Sequence, residues 1–247
     1  MKFFERFIAQ KKSVQEISPT ENITSPNDNL EEPVERDLME KTIKKILSLS
    51  GGEISSARLI QFESGDSAVF KPYSKYSEEE ADLRIARERA SYLVSRFLGF
   101  NFVPPTVIRA IRQETGSLQE FIENAPTAEE VDYDRIDQHE LAKLWAFDEI
   151  ILNHDRHPGN YLVKNNKIYA IDHGHAFFAT DNPPRQPLFI PGIPKETQKT
   201  ILEFSKDTKK QNDLRTALQK LFDEEVADFF IKRILYFANL LIENNNA

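Results

Sequence analysis

The sequence predicts an α+β protein, with a strand-rich N-terminal half that carries one long helix and a mostly helical C-terminal half. Three observations carry that expectation. Arg58–Glu63 and Ser67–Tyr73 are two strand-like runs around Ser64-Gly65-Asp66, the pattern of a hairpin. Ser77–Phe97 places apolar residues at helical spacing between a Ser77/Glu80 capping box and a Gly99 stop. Beyond Lys195 the chain is helical in pattern almost to its end. The expected organisation is a tail and flexible linker over 1–36, a first folded part over 37–123, and a second over 124–247.

Composition narrows the function classes. Hydrophobic residues make up 40% of the 247, with 18 phenylalanines, enough for a sizeable core. A net charge of −8 argues against bulk nucleic-acid binding. With no cysteine, disulfides, thiolate catalysis and cysteine-ligated zinc are excluded. No apolar run approaches the roughly 20 residues of a membrane helix, and the charged start MKFFERFIAQKK lacks a signal-peptide core. The expectation is a soluble, cytoplasmic protein without a transmembrane segment.

Taken in order, residues 1–12 read as a short terminal helix with Phe3, Phe4 and Phe7 on one side. Residues 13–36 are rich in Ser, Thr, Asn, Pro and Glu without periodicity, hence a linker. Deleting 1–36 is therefore expected to leave stability and turnover unchanged. Ile43–Leu49 is a short helix or strand. After the hairpin and the long helix, Thr106–Arg112 and Ser117–Glu123 read as strands around Gly116. Glu140–Leu152 is a helix containing Trp145. Tyr161–Val163 and Ile168–Ile171 form a hairpin around Lys164–Lys167. A loop with five prolines covers 179–194. Two helices, Lys195–Phe222 and Glu224–Glu243, close the chain, the last apolar nearly all round and so expected to be buried.

Chemistry concentrates in Asn153–Phe178, NHDRHPGNYLVKNNKIYAIDHGHAFF. Four of the five histidines lie there: His154, His157, His173 and His175. An Asp five residues before an Asn, followed by an Asp after a hairpin, is a way to build phosphoryl transfer. Asp155 takes the role of the carboxylate that orients the attacking hydroxyl and accepts its proton. Asn160 and Asp172 take the role of oxygen ligands to Mg²⁺, which suits hard donors. Lys71, in AVFKPY, is placed to hold the α- and β-phosphates of ATP, and Glu88 on the long helix to pin that lysine. Gly51 and Gly52 can bring backbone N–H groups close to phosphate. Each has a plainer alternative. Lys71 reads also as an edge-strand lysine, Glu88 as a solvated helix charge, and His157 as a structural histidine bonding the loop backbone. Asp148 and Trp145 read as structural and core residues. Alanine at Lys71, Asp155 or Asp172 is expected to leave folding intact.

Asp155-Arg156-His157-x-x-Asn160 with Ile171-Asp172-x-Gly174-His175 resembles the catalytic and metal-binding loops of the protein-kinase-like superfamily, in its phosphoinositide-kinase-like and HipA-like branches. GGEISSARLIQF, ERASYLVSRFLGFNFVPPTV and GSLQEFIE resemble the flanking parts of bacterial members. The resemblance covers about Leu38 to Phe178. It implies a two-lobed kinase fold, with a hinge over Gln119–Glu123 at which Gln119 and Phe121 contact the nucleotide, adenine lying between the lobes. It also implies catalytic roles for Asp155, His157 and Lys71, with ATP and Mg²⁺ as cofactors.

The sequence departs from the ordinary protein-kinase pattern in three places. His173 stands where a phenylalanine is familiar, the following loop is short and proline-rich, and the two glycines are adjacent. Three function classes remain. The first is a kinase acting on a hydroxyl, a protein Ser/Thr favoured over an inositol lipid or small molecule. The second is a metal-dependent phosphohydrolase built on His154-Asp155. The third is a pseudokinase or nucleotidyl transferase on the same fold.

Overall fold

The computed structural model describes residues 32–49, 57–177 and 192–246. The expected N-terminal helix over 1–12, the Gly51-Gly52 loop and most of the proline-rich loop lie outside them. The chain divides into two compact units: Met1–Arg89 with Pro104–Ala125, and Ala90–Val103 with Pro126–Ala247.

The first unit is built on a five-stranded antiparallel sheet in the order β1-β2-β3-β5-β4. Its strands are β1 (Ile43–Ser48), β2 (Arg58–Phe62), β3 (Ser67–Lys71), β4 (Thr106–Ile111) and β5 (Glu114–Glu120). The β2–β3 turn closes where the sequence predicts, with Gly65 at φ +97° and Phe62 N–H donating to Asp66 O at 2.9 Å. The β4–β5 turn is not at Gly116. It is at Arg112-Gln113, whose φ values of 53° and 68° match the primed two-residue turns that suit a hairpin twist. Gly116 lies inside β5 opposite Arg109. A Cβ there would sit 2.6 Å from the Phe70 ring and 2.8 Å from Lys71 O, so the glycine makes room for Phe70.

Ile60, Phe62, Ala68, Phe70, Val107, Ile111 and Leu118 form the core of this unit, and Leu38 joins them. Leu38 belongs to a helix, α1 (Pro33–Glu40), that begins inside the stretch read as linker. The overlooked signal is Pro33 at the first helical turn, followed by Val34 and Leu38 one turn apart.

The long helix α2 spans Glu78–Phe97. Ser77 Oγ accepts from Glu80 N–H at 3.3 Å, while the Glu80 carboxylate is turned to Arg84 at 2.8 Å. Only one arm of the predicted capping box is made. Gly99, at φ +73°, ends the helix, and Phe100 N–H returns to Ser95 O at 2.9 Å. Leu83, one of the helically spaced apolar residues of Ser77–Phe97, is 39% exposed. It stands two residues from buried Ile85, about 200° round the helix. The unit boundary falls within α2, between Arg89 and Ala90.

The second unit is mostly helical. Its helices are α3 (Gln138–Ile151), α4 (Lys195–Lys206), α5 (Thr208–Gln219) and α6 (Glu224–Asn246). Asp137 caps α3, its Oδ1 accepting from His139 N–H at 2.7 Å. The hairpin β6 (Tyr161–Lys164) and β7 (Lys167–Ala170) turns at Asn165-Asn166, at φ 53° and 60°. The single helix expected over 195–222 is two. Asp207 breaks it, its Oδ1 accepting from Lys210 N–H at 2.9 Å to start α5. α6 buries Ala227, Phe230, Ile231, Ile234, Phe237, Ala238 and Leu241 in the core of the unit, with Tyr236 left 38% exposed. Trp145, expected in the core, is 41% exposed on α3. Among the described residues no helix is long and apolar enough to cross a membrane.

Candidate active site

Each unit carries part of the site predicted from sequence. In the first, the sheet pattern delivers Lys71 to the end of β3 with its side chain buried. Its Nζ lies 2.6 Å from Glu88 Oε1, and Glu88 is 1% exposed on α2. Tyr73 O–H donates to the same oxygen at 2.7 Å. Of the two sequence readings of Glu88, lysine partner or solvated charge, the structure has it buried against Lys71. Tyr73 lies two residues beyond Lys71, past the end of β3 and at φ 53°, so strand alternation does not mark it in the sequence.

Gln119 and Phe121 are engaged within the unit. Gln119 Nε2 donates to Thr106 Oγ1 at 2.9 Å with its side chain buried, and Phe121 N–H donates to Ser67 O at 3.0 Å. Gly51 and Gly52 lie outside the described residues.

In the second unit the loop after α3 is organised by Arg156, to which the sequence reading gave no role. Its Nε and Nη2 donate to the two oxygens of Asp148 at 2.8 and 3.0 Å. Its Nη1 donates to Asn160 O and, at 2.8 Å, to Ile171 O. Its Nη2 also lies 3.0 Å from His173 Nε2. A guanidinium only donates, so that nitrogen accepts and the neutral ring carries its proton on Nδ1. The His173 ring is fully buried and stands edge-on to Phe147, with centroids 6.0 Å apart. One side chain thus joins the end of α3, the catalytic-loop candidate and the segment before Asp172. Ile171 N–H adds a direct link to Asn160 O at 3.1 Å.

Asp148 is part of this scaffold. Burial pushes its carboxyl above the ordinary aspartate value, while the charge and hydrogen bonds of Arg156 and the Asn153 amide pull it back. With a two-pronged guanidinium on it, we take the group as ionised. A signal was available in the sequence: a carboxylate in the last turn of an apolar helix, eight residues before an arginine.

Of the groups the chemistry needs, Asp155 is exposed, Asp172 partly buried and Asn160 buried. The backbone of Asp155 is tied, with its carbonyl accepting from Asn160 Nδ2 at 2.8 Å, and among the described residues its carboxylate takes no bond. That bond uses the amide nitrogen of Asn160 and leaves the side-chain oxygen as the group it can offer a cation. Asp172 follows with φ 60°, a left-handed turn that redirects the chain at this residue. Asn160 and Asp172 therefore offer oxygen donors on two segments that are bonded together, a set that fits Mg²⁺. His157 Nδ1 accepts from Gly159 N–H at 3.1 Å, so it holds the loop backbone, the plainer of its two predicted roles. Glu129 lies 3.9 Å from that nitrogen. His154 is exposed, His173 is committed to Arg156, and His175 is partly buried. Among the described residues no three His, Cys, Asp or Glu side chains form a group able to hold a metal ion.

Residues 105–225 match the family model described as phosphatidylinositol 3- and 4-kinase. No curated protein sequence matches the chain. Among solved structures, a Golgi casein kinase with Mn and ADP bound is 16% identical, covering 91% of this chain and 84% of its own at a TM-score of 0.59. A Fam20 protein of hydra, solved with sugar, is 15% identical, covering 85% of this chain and 87% of its own at 0.55. The Helicobacter pylori proinflammatory kinase CtkA is 12% identical, covering 83% of this chain and 98% of its own at 0.51.

Proposed function

We propose that the chain, a member of the protein-kinase-like superfamily, is an ATP-dependent phosphotransferase that moves the γ-phosphoryl group to a hydroxyl, with protein serine or threonine favoured over inositol lipid. The 2.6 Å contact between Lys71 and Glu88 carries the reading. A lysine buried in a sheet and fixed by a helix carboxylate is what positioning of nucleotide phosphates requires. An exposed Asp155 beside Asn160 and Asp172 supports the same chemistry from the second unit.

In this reading Glu88 and Tyr73 fix the Lys71 ammonium so that it meets the α- and β-phosphates without searching rotamers. The Asp155 carboxylate accepts the proton of the acceptor hydroxyl as its oxygen attacks the γ-phosphorus and ADP leaves. The Asn160 oxygen and Asp172 would hold Mg²⁺, which when bound neutralises charge on the phosphates. Arg156 keeps Asn160 and the Asp172 segment in one arrangement, and His157 holds the loop that carries Asp155. The net charge of −8 disfavours a working surface of anionic lipid, and the fold is shared with a casein kinase, so a protein acceptor is preferred. The compartment we assign is the cytoplasm, since a chain without cysteine needs no oxidising environment.

The test offers the purified chain, with Mg²⁺, ATP labelled on the γ- or the α-phosphate and three acceptors: casein, a Ser/Thr peptide library and phosphatidylinositol vesicles. The expected result is γ-label on protein serine or threonine. It is lost in Asp155→Ala, while calorimetry still finds nucleotide binding. Label on the vesicles alone makes the chain a lipid kinase, and transfer of the α-label makes it a nucleotidyl transferase. Nucleotide binding with no transfer makes it a pseudokinase.

A further inference from the structure

Glu88 and Arg89 are consecutive on α2, so they point about 100° apart around the helix. Glu88 reaches Lys71 on β3. Arg89, 2% exposed, reaches the other way, its Nη1 donating to Glu35 Oε1 at 3.0 Å and to Thr106 O at 2.7 Å. Glu35 is fully buried on α1.

α1 is itself fixed to the sheet by contacts that do not involve α2. Leu38 is packed among Ile60, Phe62, Phe70 and Leu118. Arg109 on β4 donates to Leu38 O at 2.7 Å and to Lys41 O at 3.1 Å, covering carbonyls at the end of α1. Lys41 Nζ is 2.8 Å from Asp66 in the β2–β3 turn. Glu35 is thus a fixed carboxylate on the sheet side, and together with Thr106 O of β4 it holds α2 at Arg89. A roll of α2 by about 20°, at a side-chain radius of about 5–6 Å, moves the tip of Glu88 by about 2 Å. That is enough to open a 2.6 Å contact.

We propose that Glu35 is a positioning residue for the Lys71–Glu88 pair, acting through Arg89, so that α1 sets whether the pair is assembled. The use of that pair in phosphoryl transfer rests on the function proposed above; the coupling between Glu35 and Lys71 does not. Helix position becomes a property of the segment preceding the sheet, and a partner or modification that disturbs α1 acts on Lys71 without touching it.

The test measures how fast Lys71 in the folded full chain is acetylated by a small amine reagent, read by peptide mass spectrometry against exposed Lys199 and Lys209. Glu88→Gln should raise the Lys71 rate by about tenfold or more, the equivalent of about 1.4 kcal/mol of lost restraint. Glu35→Gln should raise it in the same direction, and the double variant should react no faster than Glu88→Gln alone, because both changes act on one contact. A melting point lowered in Glu35→Gln with Lys71 labelling at the parental rate makes the pair merely structural and overturns the proposal. So does a rate in the double variant equal to the product of the two single effects. If Glu35→Gln does not fold, Glu35→Met with Arg89→Met removes both charges at similar length and is read the same way. The labelling needs no turnover, so an inactive parent defeats the proposed function and leaves this coupling testable.

Discussion

Replacing Arg156 with methionine should destabilise the protein by an amount that grows with pH. The side chains of Arg156 and Asp148 are 2% and 6% exposed. Removing one partner of such a pair costs about 3–5 kcal/mol, because the other is left as a buried charge. The carbonyls of Asn160 and Ile171 lose charged donors as well, at about 1–3 kcal/mol each if left unsatisfied. These losses share one relaxation and do not add. We expect about 3–5 kcal/mol in total at neutral pH, against a typical domain stability of about 5–15 kcal/mol.

The pH dependence has a definite sign. Burial raises the Asp148 pKa, and Arg156 is the main force opposing it. Without Arg156 the raising cause acts with less opposition, and the native state holds a proton that the unfolded state releases. A folded pKa above the unfolded one gives stability that is present below the unfolded value, about 3.9, and is lost as pH rises through the folded value. The gap between parent and Arg156→Met should therefore be smaller at pH 5 than at pH 8, with a slope of at most about 1.4 kcal/mol per pH unit. Urea unfolding at both pH values, followed by circular dichroism, measures the gap. Asp148→Asn combined with Arg156→Met has no carboxyl to titrate there and should show no such growth. An equal gap at pH 5 and pH 8 for Arg156→Met would refute the buried-charge account.

Lys71→Met should destabilise by about 3–5 kcal/mol, contrary to the expectation that this position tolerates change, since Glu88 keeps its burial and loses its cation; adding Glu88→Gln should recover part of the loss in the same unfolding assay. Gly116→Ala should cost about 1–3 kcal/mol by pressing on the Phe70 ring and Lys71 O, and Gly116→Ser should be no better. Deleting residues 1–36 removes Glu35 from Arg89 and should lower the melting temperature, where a tail and linker alone would have left it unchanged. Asp155→Ala should keep the parental melting curve within about 0.5 kcal/mol while losing on the order of 10²–10³ in transfer rate.

The parts of the fold legible in the sequence are those whose causes are close along the chain. Gly65 needs its positive φ for a turn between neighbouring runs, and Ser77 caps the helix that starts at the next residue. Gly99 stops the same helix by the same kind of short-range geometry. The errors have the same origin. Gly116 has the look of a turn glycine, but its reason is the Phe70 ring on another strand. Asp207 looked like one more polar residue in a helical run, and only its bond to Lys210 N–H marks it as a cap. Residues 33–36 took the composition of the linker before them, although Glu35 is held by a residue 54 positions away.

The candidate site divides along the same line. Asp155, Asn160 and Asp172 stand out because their spacing is short and their chemistry narrow. Arg156 lies among them without standing out, because an arginine declares its role only through what it meets. Here that is Asp148 one helix end back, and Ile171 and His173 beyond a hairpin. The familiar aromatic position before the glycine is His173, and its ring explains the exchange. One edge accepts from Arg156, while the body of the ring meets Phe147 as an aromatic would. A phenylalanine at 173 would keep the packing and lose the acceptor, leaving the Ile171 carbonyl as the hold of Arg156 on this segment. The histidine therefore adds a side-chain acceptor to the Ile171 carbonyl, so that Arg156, itself paired with Asp148, holds the Asp172 segment at two points while it holds Asn160 O in the loop of Asp155.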